Sequence, residues 1–66
     1  MDVTINGETK TLAATCSVAD LLATRGHAAK RVVVERNGEI LPRELFSQTM
    51  LCEADSLEIV HFVGGG

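Results

Sequence analysis

Three glycines, Gly64-Gly65-Gly66, close the sequence directly after an alternating apolar segment, and their presence calls for a chemical reason. Glycine loses the most conformational entropy on ordering, and no local turn asks for three in a row. What the run offers is slenderness. Without Cβ atoms it can thread a narrow channel, and at about 3.3–3.6 Å per extended residue it carries an α-carboxylate roughly 10 Å from the folded body. A carboxylate of pKa about 3.3–3.7 is ionised at neutral pH and is a poor electrophile. It reacts only after activation, for which adenylation with AMP as leaving group is the natural route. On the tail alone, a frayed end or a cloning remnant remains the plain alternative.

Other residue types with chemistry in them are dispersed. His27, His61, Cys16 and Cys52 could ligate zinc, but no Cys-x-x-Cys or His-x-x-x-His spacing gathers them, so no metal is expected. Cys16 precedes a predicted helix start, where the dipole can lower a thiol pKa, although a packed or idle thiol is the simpler reading. Two cysteines allow at most one disulfide, and free thiols in a reducing compartment fit that count better than a secreted disulfide scaffold. Catalysis within the chain would need a nucleophile and a base converging in a cleft, which a small sheet with one helix hardly provides. The chain reads as a substrate of enzymes.

Val60 and Phe62 lie on the strand face that Glu58 marks as solvent-side, next to the glycines, and an exposed apolar pair there would serve docking. The competing possibility is that the sheet curls and buries Phe62. Arg43 could pair with an acid of a partner, or with Glu44 or a helix end of its own chain.

The elements that must position these residues follow from 66 residues with 45% apolar and 23% charged content, one small globular domain. Its longest apolar runs are far below the roughly 20 residues of a spanning helix, and the start lacks a basic-then-apolar signal, so no membrane contact and a cytoplasmic location are expected. Nine acids against six bases give a net charge of −3, with no basic stripe and only Phe46 and Phe62 as aromatics. Phosphate backbones would repel such a chain and bases would find no stacking platform, so nucleic acid is not an expected partner.

Asp2-Val3-Thr4-Ile5, the turn Asn6-Gly7 and Lys10-Thr11-Leu12-Ala13 read as a β-hairpin. Ser17 then stands three residues ahead of Asp20, with Val18, Leu21 and Leu22 at helical spacing and Gly26 as a left-handed stop, predicting a helix from Val18 to Thr24. Val32 to Arg36, Asn37-Gly38 and Glu39-Ile40-Leu41 form a second hairpin, stopped by Pro42. Residues 43–54 fit neither period, apart from a single turn at Glu44-Leu45-Phe46 whose Leu and Phe plug one end of the core. From Ser56 to Val63 the pattern alternates, Leu57, Ile59, His61 and Val63 on one face and Glu58, Val60 and Phe62 on the other. The order β-β-α-β-β-(turn)-β predicts an α+β fold, a mixed sheet of four to five strands with one helix across one face. Val18, Leu21 and Leu22 would cover Val3, Ile5, Val33, Leu57 and Ile59. Residues 1–63 would form the domain and 64–66 a flexible tail.

This order, ending in a strand that runs into glycines, resembles the ubiquitin-like β-grasp superfamily. Val3 to Glu8, Ser17 to Leu22, Val34 to Arg43, and Asp55 to Val60 followed by His61-Phe62-Val63-Gly64-Gly65-Gly66 resemble the ThiS family of sulfur carrier proteins of thiamine biosynthesis. The resemblance spans nearly the whole chain. It implies a terminal carboxylate adenylated by a ThiF-like, ATP-consuming enzyme, converted to a thiocarboxylate with sulfur from a donor protein, and drawn on by a thiazole synthase. The carrier itself would hold no cofactor. Gly66 would bear the acyl-adenylate and then the sulfur, and Gly64 and Gly65 would form the lead-in. One departure is Ala54, where the family usually has glycine before the aspartate, so a turn needing positive φ would be strained. Two relatives by fold, a ubiquitin-type modifier and the small subunit of molybdopterin synthase, would end in similar glycines. The latter often carries prolines where this chain has His61-Phe62-Val63. A β-grasp interaction module that never uses its terminus is the remaining reading.

Overall fold

Both Asn-Gly pairs turn the chain through positive φ, at +50° and +83° for Asn6 and Gly7 and at +53° and +88° for Asn37 and Gly38, the left-handed conformations that a tight two-residue hairpin requires. In the computed structural model, which describes residues 1–62, these turns join β1 (Asp2–Ile5) to β2 (Glu8–Thr11) and β3 (Val32–Arg36) to β4 (Glu39–Leu41). Strand β2 starts two residues earlier than the sequence pattern predicts, because Ile5 pairs with Glu8 directly across the turn. A last strand, β5 (Ser56–His61), completes the set. The strand ends at His61, short of the Val63 that the sequence pattern predicts; Phe62 follows it in register, and Val63 itself lies outside the described residues.

The sheet order is β2-β1-β5-β3-β4. Only β1 and β5 run parallel, and the other neighbours are antiparallel, so the sheet is mixed and β5 occupies its centre. Helix α1 (Val18–Thr24) crosses one face and buries Val18, Leu21 and Leu22 against Val3, Ile5, Val32, Val34, Leu57 and Ile59, the α+β arrangement expected.

Ser17 caps α1, its Oγ accepting from the Asp20 N–H at 3.0 Å, and Gly26 at φ +79° ends it. The two remaining N–H groups of the first turn are satisfied from residues 43–50: Val18 donates to the Thr49 carbonyl at 2.9 Å and Ala19 to the Phe46 carbonyl at 3.0 Å. The segment without periodicity therefore has a definite task. It opens with a single 3-10 turn, η2 (Arg43–Leu45), and Phe46 plugs the core as expected, but Leu45 stays exposed. A turn this short presents one side inward, and Phe46 takes it.

Val33 is also placed differently from the sequence expectation. The register sets Val34 opposite Ile59 and Val32 opposite His61, so Val32 and Val34 enter the core and Val33 faces the open side of the sheet. Three consecutive valines cannot all point inward on a pleated strand, and composition alone does not choose the parity.

Candidate functional site: the open sheet face at the end of strand β5

The position of β5, the central strand of the sheet, is set from both sides. Asn6 reaches across from the first hairpin: its Oδ1 accepts from the Ile59 N–H at 2.7 Å and its Nδ2 donates to the Ile59 carbonyl at 3.2 Å. The side-chain amide thus extends the parallel β1–β5 ladder past the end of β1. From the second hairpin, Asn37 Oδ1 accepts from the Ser56 N–H at 2.9 Å, while the Asn37 N–H donates to the Ser56 carbonyl at 2.8 Å.

Asp55 anchors the turn into β5. It is buried, with Arg36 Nε and the Cys52 N–H on Oδ2 at 3.0 and 2.8 Å and Asn37 Nδ2 on Oδ1 at 3.1 Å. Burial alone would raise its pKa, but these bonds and the Arg36 charge favour the carboxylate and outweigh it, holding the group below the ordinary value of 3.8. Just before it, Ala54 has φ +70°, so the strain expected from the missing glycine is present.

On the open face the ladder sets Val33 opposite Val60, and the two are 39% and 59% exposed. Phe62, one alternation further along, is 47% exposed, which decides against a sheet curled over it. Its N–H donates to the Arg31 carbonyl at 3.0 Å, so the chain stays in register with β3 to that point. The next pair along is Glu35 opposite Glu58, two carboxylates whose mutual repulsion weakens the sheet locally. Ile40, 62% exposed, stands opposite Glu35 on β4. The face is therefore an apolar strip beside an acidic pair, with no element of the described residues laid over it. Val33 and Ile40 were missed by the sequence reading, and only the register brings them in.

Arg43 opens η2 and is exposed, and neither ion pair among the described residues includes it. No ladder sets it beside Val60 and Phe62. His61 points to the same side as Ile59 but at the strand end beyond α1, where its ring lies 5.5 Å from that of His27. The expected inward position thus leaves it exposed. Both cysteines are free, Cys16 half-buried against the core and Cys52 exposed. Among the described residues no three metal-ligating side chains come together. Gly64, Gly65 and Gly66 lie outside the described residues.

A five-stranded mixed sheet with a central β5 and one helix across it is a β-grasp domain of the ubiquitin-like class, and its open face leads to the residues that precede the glycines. The match extends to a particular family. The ThiS family model matches residues 3–66, and the chain belongs to the ThiS family. It is 50% identical over 52 residues to the sulfur carrier protein ThiS of Bacillus subtilis, with 79% of each chain covered. The crystal structure of the thiamine biosynthesis protein ThiS from Geobacter metallireducens superposes with a TM-score of 0.84 at 39% identity, covering 100% of both chains. The whole chain is also 42% identical over 66 residues to a thiazole synthase of Paramagnetospirillum magneticum, of which it spans only 20%.

Proposed function

We propose that this chain is a sulfur carrier of thiamine biosynthesis, acting as a substrate of enzymes and not as one itself. The observation that carries the proposal is family membership over residues 3–66, a span that takes in the glycines after β5. In the first step a carboxylate oxygen of Gly66 attacks the α-phosphorus of ATP on a ThiF-like adenylating enzyme, forming the acyl-adenylate and releasing pyrophosphate. A sulfur nucleophile, supplied as a hydrosulfide equivalent by a donor protein, then displaces AMP and leaves the thiocarboxylate. A thiazole synthase takes the sulfur from there. A thiocarboxylate is nucleophilic through sulfur yet covalently held, so free sulfide never needs to accumulate. Gly64 and Gly65 supply a lead-in without side chains, and ATP is consumed by the partner, with no cofactor bound to the carrier.

The open face serves as the address. Val60 and Phe62, joined by Val33, bring apolar surface to the partner at the end of β5, and Arg43 offers a cation at the start of η2. The likeness to part of a thiazole synthase supports that enzyme as one such partner, because a carrier-like segment within the same chain as a synthase is held at high effective concentration.

The test is to incubate the purified chain with the adenylating enzyme, ATP and a sulfur donor and to take the intact mass. A gain equal to exchange of one oxygen for one sulfur, lost when Gly65 and Gly66 are deleted, supports the carrier. A ladder of conjugates in cell extract would support a protein modifier instead. An unmodified chain under all conditions would leave the terminus without chemistry, as in a plain interaction module.

A further inference from the structure

Charge is unevenly placed along this acidic chain. Between Asp20 and Glu35 there is no acid, yet the stretch holds Arg25, Lys30 and Arg31, three of the six Lys and Arg residues, together with His27. The fold brings this stretch to the end of β5. The Arg31 carbonyl accepts from the Phe62 N–H at 3.0 Å, Val32 stands opposite His61, and the His27 and His61 rings are 5.5 Å apart.

Arg25, Lys30 and Arg31 are exposed, and the two ion pairs of the described residues, Lys10–Glu8 and Arg36–Asp55, leave them out. Arg25 is the C-cap of α1, where a cation offsets the negative end of the helix dipole. Lys30 and Arg31 have no such local role, since they belong to a 3-10 turn of only three residues, η1 (Ala29–Arg31).

We propose that Lys30 and Arg31, flanked by His27 and His61, form a cationic collar that docks on an acidic rim around the active-site entrance of the adenylating enzyme. The inference rests on the carrier reading and deepens it by giving the chemistry of the partner surface. A chain that presents Gly66 to that active site brings the end of β5 toward the entrance, and the backbone bond from Phe62 to Arg31 sets η1 beside that end. A basic rim would be repelled by the collar and would attract the acidic pair Glu35 and Glu58 on the open face. An acidic rim does the reverse. Because the chain as a whole is negative, an acidic entrance disfavours orientations that lead with the Glu35–Glu58 part of the open face and favours the one that leads with the collar and the adjoining Phe62, so steering and orientation come from the same two cations.

The test compares the native chain with Lys30→Gln/Arg31→Gln and Lys30→Glu/Arg31→Glu, each first shown to keep the native thermal midpoint, in pyrophosphate release by the adenylating enzyme at low and high salt. The expected result is a KM for the carrier raised about 3–10-fold by neutralisation and more by reversal, with kcat unchanged. The differences should shrink as the Debye length falls from about 10 Å at 0.1 M salt to about 3 Å at 1 M. An unaltered KM at low salt, with the native chain turned over normally, overturns the collar alone. A raised KM for ATP in place of the carrier also overturns it, because the cations then read the nucleotide phosphates. Failure of the native chain to be turned over at all removes the carrier reading and the collar with it.

Discussion

Replacing Ala54 by glycine should make the protein more stable. Ala54 adopts φ +70°, a left-handed conformation that costs an L-residue about 1–2 kcal/mol through crowding of its Cβ. Glycine escapes that cost but has more freedom to lose from the unfolded chain, about 0.5–1 kcal/mol. The exposed methyl of Ala54 contributes little packing, and its N–H bond to the Asp2 carbonyl at 2.8 Å can be made by either residue. The central values leave a net gain of about 0.75 kcal/mol. In a domain of this size 1 kcal/mol moves the melting temperature by about 4–8 °C, so the midpoint should rise by roughly 3–6 °C. Thermal melts followed by circular dichroism at neutral pH measure it, with Ala54→Val as a counterpart that should lower the midpoint, since a β-branched residue tolerates this conformation least. A midpoint unchanged or lowered by glycine would refute the claim that the turn is strained.

The remaining predictions concern the support of β5 and its exit. Asp55→Ala should cost about 2–4 kcal/mol in urea unfolding, because a buried carboxylate with charge-assisted bonds is lost while Arg36 can turn to solvent. The folded pKa of Asp55 is depressed, so its contribution is complete above the ordinary value of 3.8 and declines as pH falls from there through the folded value. Asp55→Asn should flatten that part of the stability–pH curve. Asn6→Ala should cost about 2 kcal/mol by leaving the Ile59 N–H and carbonyl without partners and setting alanine at φ +50°, and hydrogen exchange at Ile59 should speed up accordingly. Val60→Thr with Phe62→Thr should leave the melting temperature nearly unchanged, both residues being exposed and threonine keeping the strand preference, yet raise the KM of the activating enzyme for the carrier at least tenfold. Deleting Gly65 and Gly66 should preserve the circular dichroism spectrum and abolish mass gain in the sulfur-transfer assay.

What the sequence made legible was whatever local chemistry decides. Both Asn-Gly turns, the Ser17 cap, the Gly26 stop and the alternation of Leu57 and Ile59 against Glu58 and Val60 each act within a few residues, and each is found where the pattern places it. Val33 and Leu45 were not legible, because the inward parity of a valine run and the packed side of a 3-10 turn are chosen by partners distant in the chain. Residues 43–50 looked irregular for a related reason: their carbonyls serve the N-terminus of α1, a role that leaves no period behind. Val60 and Phe62 emerged on the exposed face as expected, whereas the neighbouring Val33 and Ile40, the Glu35–Glu58 pair and the His27–His61 contact needed the register to be seen.

The two Asn-Gly signals also do more than reverse the chain. In each, glycine and a left-handed asparagine make the turn, and the freed asparagine amide reaches the central strand, Asn6 to Ile59 on one side and Asn37 to Ser56 on the other. Strand β5 is thus held by directional bonds to its backbone at two places along its length, on top of its ladders to β1 and β3. Apolar packing against α1 need only cover the inward side, through Leu57 and Ile59. The outward side chains of the same strand therefore contribute less to stability, through cross-strand pairs such as Val33–Val60 and the repelling Glu35–Glu58, than the buried ones do. A partner can select on Val60, Phe62 and their neighbours at small cost to the fold, because the position of β5 up to Phe62 is set by backbone and asparagine hydrogen bonds and not by the side chains of the docking face.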